Sequence, residues 1–170
     1  LGGFPGDLAV LNLGARKMTV ESSRIAGTIV LTQCGEFKLQ QPMLLTPRAG
    51  MPALVSGSYF VTNTSDQDFS ESGIKANLNP AAWPYLGESD ADTSDWYPSE
   101  INGVVYIGGD AKLDGKVIIN GVLVVRGNLV INSAEVTVRW NELANIPPGF
   151  REQPEFRIVP GSITKLVDVP

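Results

Sequence analysis

Hydrophobic and polar residues alternate in short segments between Ile101 and Asn132, and a glycine recurs at every sixth position. Alternation with a period of two predicts β-strands with one apolar face. Gly, Asn and Asp between the segments suit tight corners. The glycines are Gly103, Gly109, Gly115, Gly121 and Gly127. The residues expected to face inward are Val105/Ile107, Ala111/Leu113, Val117/Ile119, Leu123/Val125 and Leu129/Ile131.

A longer repeat underlies the six-residue one. The segment 101–118 aligns with 119–136, and "ING" opens both copies. A fixed short period predicts a solenoid, in which each repeat buries its apolar face against the next. Three strand-and-corner units in about 18 residues predict one turn of a triangular β-helix. The register falters near Ala134, where a one-residue slip would place Val136 and Val138 inside, so we expect a bulge there.

The N-terminal region follows the same scheme with less regular spacing. Its alternating pairs are Met18/Val20, Ile29/Leu31, Phe37/Leu39 and Met43/Leu45. No segment from 1 to 62 has a helical period, so little helix is expected there. The sequence therefore predicts an all-β fold, a short single-stranded β-helix that we expect to be right-handed and to form one domain over residues 1–170.

Residues 63–100 break the repeat. Between Asp66 and Glu100 there are eight acidic residues and one basic residue, Lys75. We interpret this segment as an acidic insertion that leaves the β-helix and returns to it, with one short helix around Pro80–Tyr85. Residues 140–170, with predicted strands at Phe156–Val159 and Ile163–Val169, are expected to cap the end of the solenoid.

Composition excludes several classes of function. The net charge of −5 argues against nucleic acid as a partner. The chain has no histidine, which excludes Ser-His-Asp and Cys-His catalysis and histidine-ligated zinc.

The single Cys34 lies in a predicted strand, so a buried thiol is expected. No apolar run reaches the ~18 residues of a membrane span. We expect a mature chain or a piece of a longer protein.

The acidic stretch "GESDADTSDWYPSE" is a candidate calcium site. Oxygen-bearing side chains at alternate positions are typical of calcium loops. An EF-hand is excluded. A loop that begins at Asp90 has Asp95 instead of Gly at its sixth position and Ile101 instead of Glu at its twelfth. A looser calcium site is one hypothesis, and a solvated acidic loop without any cofactor is the favoured alternative. The candidate ligands are Glu88, Asp90, Asp92, Ser94 and Asp95.

Four aromatic residues of the insertion are candidate ligand contacts. Aromatic faces beside polar groups are used by sugar and peptide sites. The favoured alternative is that these rings attach the insertion to the wall of the β-helix. The four residues are Trp83, Tyr85, Trp96 and Tyr97.

A third feature is an apolar outer face on two predicted strands. Because these strands are apolar on both sides, both sides should be covered. Covering the outer face would contribute about 1.5–3 kcal/mol for each large side chain buried. The insertion, the C-terminal segment or a second copy of the chain would cover it. The outer residues are Val104, Tyr106, Val122 and Val124.

The block "INGVVYIGGDAKLDGKVIINGVLVVRGNLVIN" resembles bactofilins, which are polymer-forming bacterial β-helix scaffolds. With "YPSEINGVVYIGGD" and "PPGF" followed by Gly161–Ser162, the segment 95–170 also resembles β-helical parts of uncharacterised planctomycete envelope proteins. Bactofilins have no comparable acidic insertion. The left-handed hexapeptide β-helix of acyltransferases is the alternative fold. It is disfavoured because Val117, Leu123 and Leu129 are large where that family has small residues.

These features lead to three hypotheses of function. The first is a non-catalytic structural or adhesive module of a bacterial envelope protein that presents the insertion to a protein partner or a glycan. The second is a polysaccharide-active enzyme that depends on carboxylates or calcium. The third is a self-assembling scaffold. The sequence leaves the compartment open, although the resemblance favours the cell envelope or the exterior.

Overall fold

The computed structural model describes residues 8–48, 50–132 and 135–140 and has the β-solenoid fold that the repeat predicts. Its strands stack in parallel, apart from one short antiparallel pair in the insertion, Phe69–Ser70 with Trp96–Tyr97. The strands are β1 Leu8–Asn12, β2 Lys17–Ala26, β3 Thr28–Gln33, β4 Glu36–Thr46, β5 Leu54–Ser56, β6 Tyr59–Thr64, β7 Phe69–Ser70, β8 Trp96–Tyr97, β9 Glu100–Ile107, β10 Ala111–Val125, β11 Leu129–Ile131 and β12 Glu135–Arg139, with one helix, α1 Glu71–Ile74.

The solenoid has three faces, as expected for a triangular coil. The first face stacks β1, β3, β5, the second half of β9 and the last residues of β10. The second stacks the first halves of β2 and β4, then β6, the start of β10 and β11. The third stacks the second halves of β2 and β4, the start of β9, the middle of β10 and β12. The longer strands therefore pass around corners between faces.

The 18-residue repeat is visible in the strand register. Ile119 pairs with Ile101, and Ile131 pairs with Leu113, each 18 positions apart. The offset then becomes 19, because Val136 pairs with Val117 and Val138 with Ile119. The predicted one-residue slip is therefore confirmed, although Ser133 and Ala134 themselves lie outside the described residues.

The predicted inward residues form the core. Val105, Ile107, Ala111, Leu113, Val117 and Ile119 are buried in one cluster with Val20, Ile29, Leu31, Phe37, Leu39, Met43 and Leu45. The thiol of Cys34 is buried in the same cluster, as predicted. Leu129 and Ile131 differ, since they are 44% and 53% exposed. They lie on the last rung of their face, where β11 pairs within the described residues with β10 alone.

Two glycines show why the repeat needs this residue at its corners. A Cβ atom on Gly121 would collide with the carbonyl oxygen of Gly103, on which Gly121 stacks. A Cβ atom on Gly127 would lie 2.6 Å from the carbonyl oxygen of Gly109. Since real Cβ atoms do not approach a carbonyl oxygen so closely, successive turns stack at this distance only without side chains at these positions.

The insertion leaves the second face after Thr64 and returns to the third face at Glu100. Its predicted boundaries at 63 and 100 are thus slightly too wide, because Asn63 and Glu100 pair within the solenoid. The helix predicted around Pro80–Tyr85 is wrong. This segment makes a turn, in which Trp83 N donates to Pro80 O at 2.8 Å. Pro84 explains the difference, since it lacks an N–H and disfavours a helical conformation at the preceding residue.

The helix of the insertion is α1. The side chain of Ser70 accepts a hydrogen bond from Gly73 N at its N-terminus, and Lys75 ends it in the left-handed conformation. Within the described ranges, no helix has the length and hydropathy needed to cross a membrane. The predicted C-terminal cap falls almost entirely on residues 141–170, which lie outside the described residues.

Candidate functional site

The insertion has a small core of its own against the third face of the solenoid. Leu44 of β4 packs with Phe69 and Tyr97, and Ile74, Leu78 and Tyr85 pack around them. The ring centroids of Tyr97 lie 5.6 Å from Phe69 and 4.9 Å from Tyr85, the latter in an edge-on arrangement. Tyr85 and Tyr97 therefore attach the insertion to the solenoid wall. For these two rings, this is the favoured alternative to a role in ligand contact.

Arg24 of β2 is the main polar anchor of the insertion, and the sequence did not indicate it. Its Nη1 atom donates to the carbonyl oxygens of Leu78 and Trp83, and its Nη2 atom donates to Pro84 at 2.8 Å. The guanidinium also lies 5.1 Å from the ring centroid of Tyr85 and 5.9 Å from that of Tyr97. Burial lowers the pKa of Arg24, and the nearby Tyr97, Tyr85, Glu71 and Asp95 oppose this shift.

Glu71, the first residue of α1, is fully buried at 0% exposure. Its Oε1 atom accepts hydrogen bonds from Leu78 N and, at 2.8 Å, from Tyr97 Oη. Burial, and then the hydrogen bond to Glu71, raise the pKa of Tyr97, so its hydroxyl stays protonated as a donor. The Oε2 atom of Glu71 is buried and has no hydrogen-bond partner.

Two of the predicted calcium ligands approach Glu71. Asp90 and Asp92 are exposed, and one carboxylate oxygen from each lies within 4.8 Å of the other and of a carboxylate oxygen of Glu71. The hydroxyl and the main-chain N–H of Ser94 both donate to Asp92 Oδ1, and these hydrogen bonds lower the pKa of Asp92. Desolvation, followed by repulsion from Asp92 and Asp95, raises the pKa of Asp90.

The other predicted ligands lie outside this cluster of described residues. Asp95 Oδ2 accepts hydrogen bonds from Asn79 Nδ2 at 2.9 Å and Tyr97 Oη at 3.4 Å. Glu88 is exposed, and its main chain pairs with that of Tyr85. Ser94 contacts Asp92 but does not belong to the three-carboxylate cluster. The sequence thus identified two members, Asp90 and Asp92, and missed Glu71.

An open cleft of about 470 Å³ runs between the insertion and the third face of the solenoid. The insertion contributes Ala82, Trp83, Pro84, Tyr85 and Leu86 to one wall. The solenoid contributes Arg24, Ala26, Gly27, Leu44, Thr46, Pro47, Arg48, Glu100 and Asn102. Leu86 stands at the rim of this cleft with 87% of its surface exposed.

The four predicted aromatic residues therefore separate into different environments. Trp83 and Tyr85 are half-buried and line the cleft, whereas Tyr97 is buried beneath it. Trp96 is 64% exposed and does not line the cleft. Of the two tryptophans in the insertion, only Trp83 is placed to contact a molecule in this cleft.

Two residues that line the cleft, Glu100 and Asn102, belong to a row of hydrogen-bonded side chains. Glu100 Oε2 accepts from Asn120 Nδ2 at 2.7 Å, and Glu100 Oε1 accepts from Asn102 Nδ2 at 3.0 Å. Asn120 Nδ2 also donates to Asn102 Oδ1 at 3.1 Å. The two asparagines occupy equivalent positions on adjacent turns, so the repeat produces this polar row directly.

The apolar outer face lies on the first face of the solenoid, away from the insertion. Val104 is buried, and Tyr106, Val122 and Val124 are half-buried within the single chain. The large apolar side chains that stand most exposed near the end of the described repeat are instead Leu129, Val130, Ile131, Val138 and Trp140. The outer face is therefore only partly covered within the described chain.

In comparisons with known proteins, no family model, no curated protein and no solved structure matches the chain. The strand register offers one signal for Arg24: it pairs with Leu44, which pairs with Glu100, so all three lie in one outward column. Ser70 gives a local signal for the start of α1 but none for the burial of Glu71.

Proposed function

We propose that this protein is a non-catalytic binding module in which the β-solenoid positions the insertion and the cleft beside it binds a glycan. One observation supports this proposal above the others. The insertion is fastened to the solenoid by Arg24, and this attachment leaves Trp83 and Leu86 at the opening of the cleft instead of in a core.

The chemistry of the cleft suits a sugar chain. Trp83 offers an aromatic ring that can stack against the apolar face of a pyranose. The opposite wall brings the hydroxyl of Thr46 and the guanidinium of Arg48, which can form hydrogen bonds with sugar hydroxyls. The cleft is open, as binding to the interior of a long chain requires.

The same geometry favours binding over catalysis. Glycoside hydrolysis generally needs two carboxyl groups across the scissile bond. Among the described residues that line the cleft, Glu100 is the only carboxylate, and both of its oxygens accept hydrogen bonds from asparagine amides. The chain also has no histidine to act as an alternative base. The resemblance of residues 95–170 to parts of planctomycete envelope proteins supports a proposed location in the bacterial envelope.

A panel of bacterial and plant polysaccharides, with binding followed by isothermal titration and reducing ends measured after incubation, tests the proposal. We expect one class of glycan to bind without release of new reducing ends. Trp83→Ala should remove binding, while Trp96→Ala, which changes the exposed tryptophan of the same insertion, should retain it.

Because Trp83 is half-buried, a second variant separates lost contacts from lost structure. Leu86→Ala removes an 87% exposed side chain at the rim, so the melting temperature should be unchanged while the affinity falls. Equal affinity in the wild-type protein, Trp83→Ala and Leu86→Ala would exclude the cleft as the binding site. Release of reducing ends would identify an enzyme instead, and capture of a protein partner with no glycan bound would replace the glycan in the proposal.

A further inference from the structure

The unpartnered Oε2 atom of Glu71 needs a physical explanation. Buried polar atoms nearly always have hydrogen-bond partners, and a buried carboxylate oxygen without one carries a large desolvation cost. The Oε1 atom of the same carboxylate is fully used by Leu78 N and Tyr97 Oη. The orientation of the carboxylate is thereby fixed, and its second oxygen remains available for a ligand.

The positive charge of Arg24 does not satisfy this oxygen. Arg24 is close enough to interact electrostatically with Glu71. However, its Nη atoms donate to the carbonyl oxygens of Leu78, Trp83 and Pro84. The surroundings of Glu71 on the side of Asp90 and Asp92 are acidic, so this part of the insertion holds three carboxylates that repel each other.

The spacing of the three carboxylates fits a cation. Calcium binds oxygen atoms at about 2.3–2.6 Å, so two ligand oxygens on one ion lie up to about 5 Å apart. One oxygen each from Glu71, Asp90 and Asp92 lie within 4.8 Å of one another. Asp92 is held in position by the N–H and hydroxyl of Ser94 through Oδ1, which leaves Oδ2 for another contact.

We propose that Glu71, Asp90 and Asp92 bind a divalent cation of the calcium class, with water completing its coordination on the exposed side. An all-oxygen site favours a hard cation over zinc, which prefers nitrogen and sulfur ligands. The open side formed by Asp90 and Asp92 accommodates the six to eight ligands of calcium more readily than the strict octahedron of magnesium. None of these three residues lines the cleft that we propose as the glycan site.

The cation has a structural role in this arrangement. It joins the start of α1 to the segment 90–92 and replaces repulsion among three carboxylates with attraction to one ion. Through Tyr97 Oη and Leu78 N, the same carboxylate also contacts the small core of the insertion. Binding should therefore stabilise the insertion and leave the solenoid strands nearly unchanged.

Terbium and calcium titrations of the full chain, after removal of metals with EDTA, test this site. Because Tyr97 Oη donates a hydrogen bond to Glu71 Oε1, Tb³⁺ bound at this site would lie near an aromatic ring. Its luminescence should therefore be sensitised by tyrosine and tryptophan. Added Ca²⁺ should displace Tb³⁺ and remove this luminescence. Ca²⁺ should also raise the melting temperature and slow hydrogen exchange in 71–79 and 88–95. No sensitised luminescence and no thermal shift at millimolar Ca²⁺ would overturn the proposal.

Asp92→Asn is the most informative variant, because asparagine keeps the acceptor for Ser94 but removes the charge. We expect it, and Asp90→Asn, to weaken Ca²⁺ binding roughly tenfold or more, since calcium affinity depends on the number of charged ligands. Glu88→Gln is the matched control, as it removes an exposed charge of the same loop that lies outside the cluster. Equal weakening by Glu88→Gln would indicate diffuse attraction to an acidic loop and overturn the site.

Glu71→Gln tests the buried ligand itself. If this variant unfolds locally, the two exposed variants still decide the proposal. If it folds, it should bind Ca²⁺ more weakly than the wild-type protein, and unchanged affinity would exclude Glu71 as a ligand.

Discussion

The repeat between Ile101 and Ile131 and the insertion between Ser65 and Ser99 are stabilised in different ways. In the repeat, each inward side chain stacks on an equivalent side chain from the next turn, as Ile119 does on Ile101. In the insertion, few apolar residues are buried, and order depends on contacts between residues distant in sequence. Arg24 and Trp83 are 59 positions apart, and Glu71 and Tyr97 are 26 apart.

The two regions differ in how many contacts stabilise them. Stabilisation of a solenoid is spread over many similar interfaces between neighbouring turns, so no single polar contact decides the fold. The insertion concentrates its stabilisation in Arg24, Glu71 and the two tyrosines. Such a segment can change residues at its surface, such as the exposed Leu86, without disturbing the scaffold, as expected of a loop on a rigid support.

The largest effect should come from the core of the repeat. Leu113→Ala removes a fully buried side chain in the middle of the stack, so the free energy of unfolding should fall by about 2–5 kcal/mol. Urea denaturation followed by circular dichroism measures this change.

Ile131→Ala is its matched control, because Ile131 pairs with Leu113 on the next turn but is 53% exposed. Its cost should be under about 1 kcal/mol, in proportion to the smaller buried area. A cost equal to that of Leu113→Ala would show that the last described turn is covered in solution.

The solenoid could be predicted because its cause is local and repeated. The alternation at Val105/Ile107 and Ala111/Leu113, and the glycines between them, indicate strand, corner and period in a window of 18 residues. Even the slip before Val136 follows from the pattern, because it aligns Val136 with Val117 and Val138 with Ile119. The helix at Glu71–Ile74 was missed because four residues carry too little periodicity to register.

The site could be predicted only in part. The spacing of Asp90 and Asp92 predicted them as candidate cation ligands, and aromatic rings beside polar groups predicted Trp83 and Tyr85 as candidate ligand contacts. Arg24 and Glu71 were missed mainly because Trp83, which binds Arg24, is 59 positions away and Tyr97, which binds Glu71, is 26 positions away. Tyr97 was predicted as a candidate ligand contact but is buried against Leu44. The sequence does not indicate which aromatic ring of the insertion packs against the solenoid.

A smaller and more local effect should follow from Arg24→Met. This variant keeps apolar contact with the tyrosine rings but leaves the carbonyl oxygens of Leu78, Trp83 and Pro84 without their donor. Hydrogen bonds to charged groups contribute about 1.5–3 kcal/mol, so the insertion should open more easily by about that amount. Hydrogen exchange should accelerate in 78–88 while the strands of the repeat remain protected.

Arg24→Lys separates charge from geometry at this position. Lysine keeps the positive charge but cannot donate to three carbonyl oxygens in the fixed geometry of guanidinium. We expect it to restore only part of the protection. If neither variant changes the rate of hydrogen exchange in the insertion, Arg24 does not anchor the insertion. The insertion would then not depend on this polar contact, contrary to the difference drawn between the two regions.

Gly121→Ala tests the close stacking of turns at a single atom. The added methyl group would collide with the carbonyl oxygen of Gly103, so the two turns must move apart, at a cost of about 1–3 kcal/mol. Gly57→Ala is the control, because a Cβ atom there would have no neighbour within 4 Å. Equal melting temperatures for the two variants would contradict the packing of the corner.

The smallest effect concerns the junction between the two regions. Lys116 Nζ of β10 lies 2.9 Å from Asp66 Oδ2, just after β6, and this hydrogen bond lowers the pKa of Asp66. A lowered pKa in the folded state stabilises the protein above the ordinary pKa of aspartate, and this contribution is lost as the pH falls through the lowered value. Lys116→Met should therefore raise the pKa of Asp66 toward its ordinary value in a carbon-13 NMR titration. Lys112→Met, which removes the partner of Asp114 instead, should leave the pKa of Asp66 unchanged. An equal pKa of Asp66 in all three proteins would mean that the junction between Lys116 and Asp66 is open in solution.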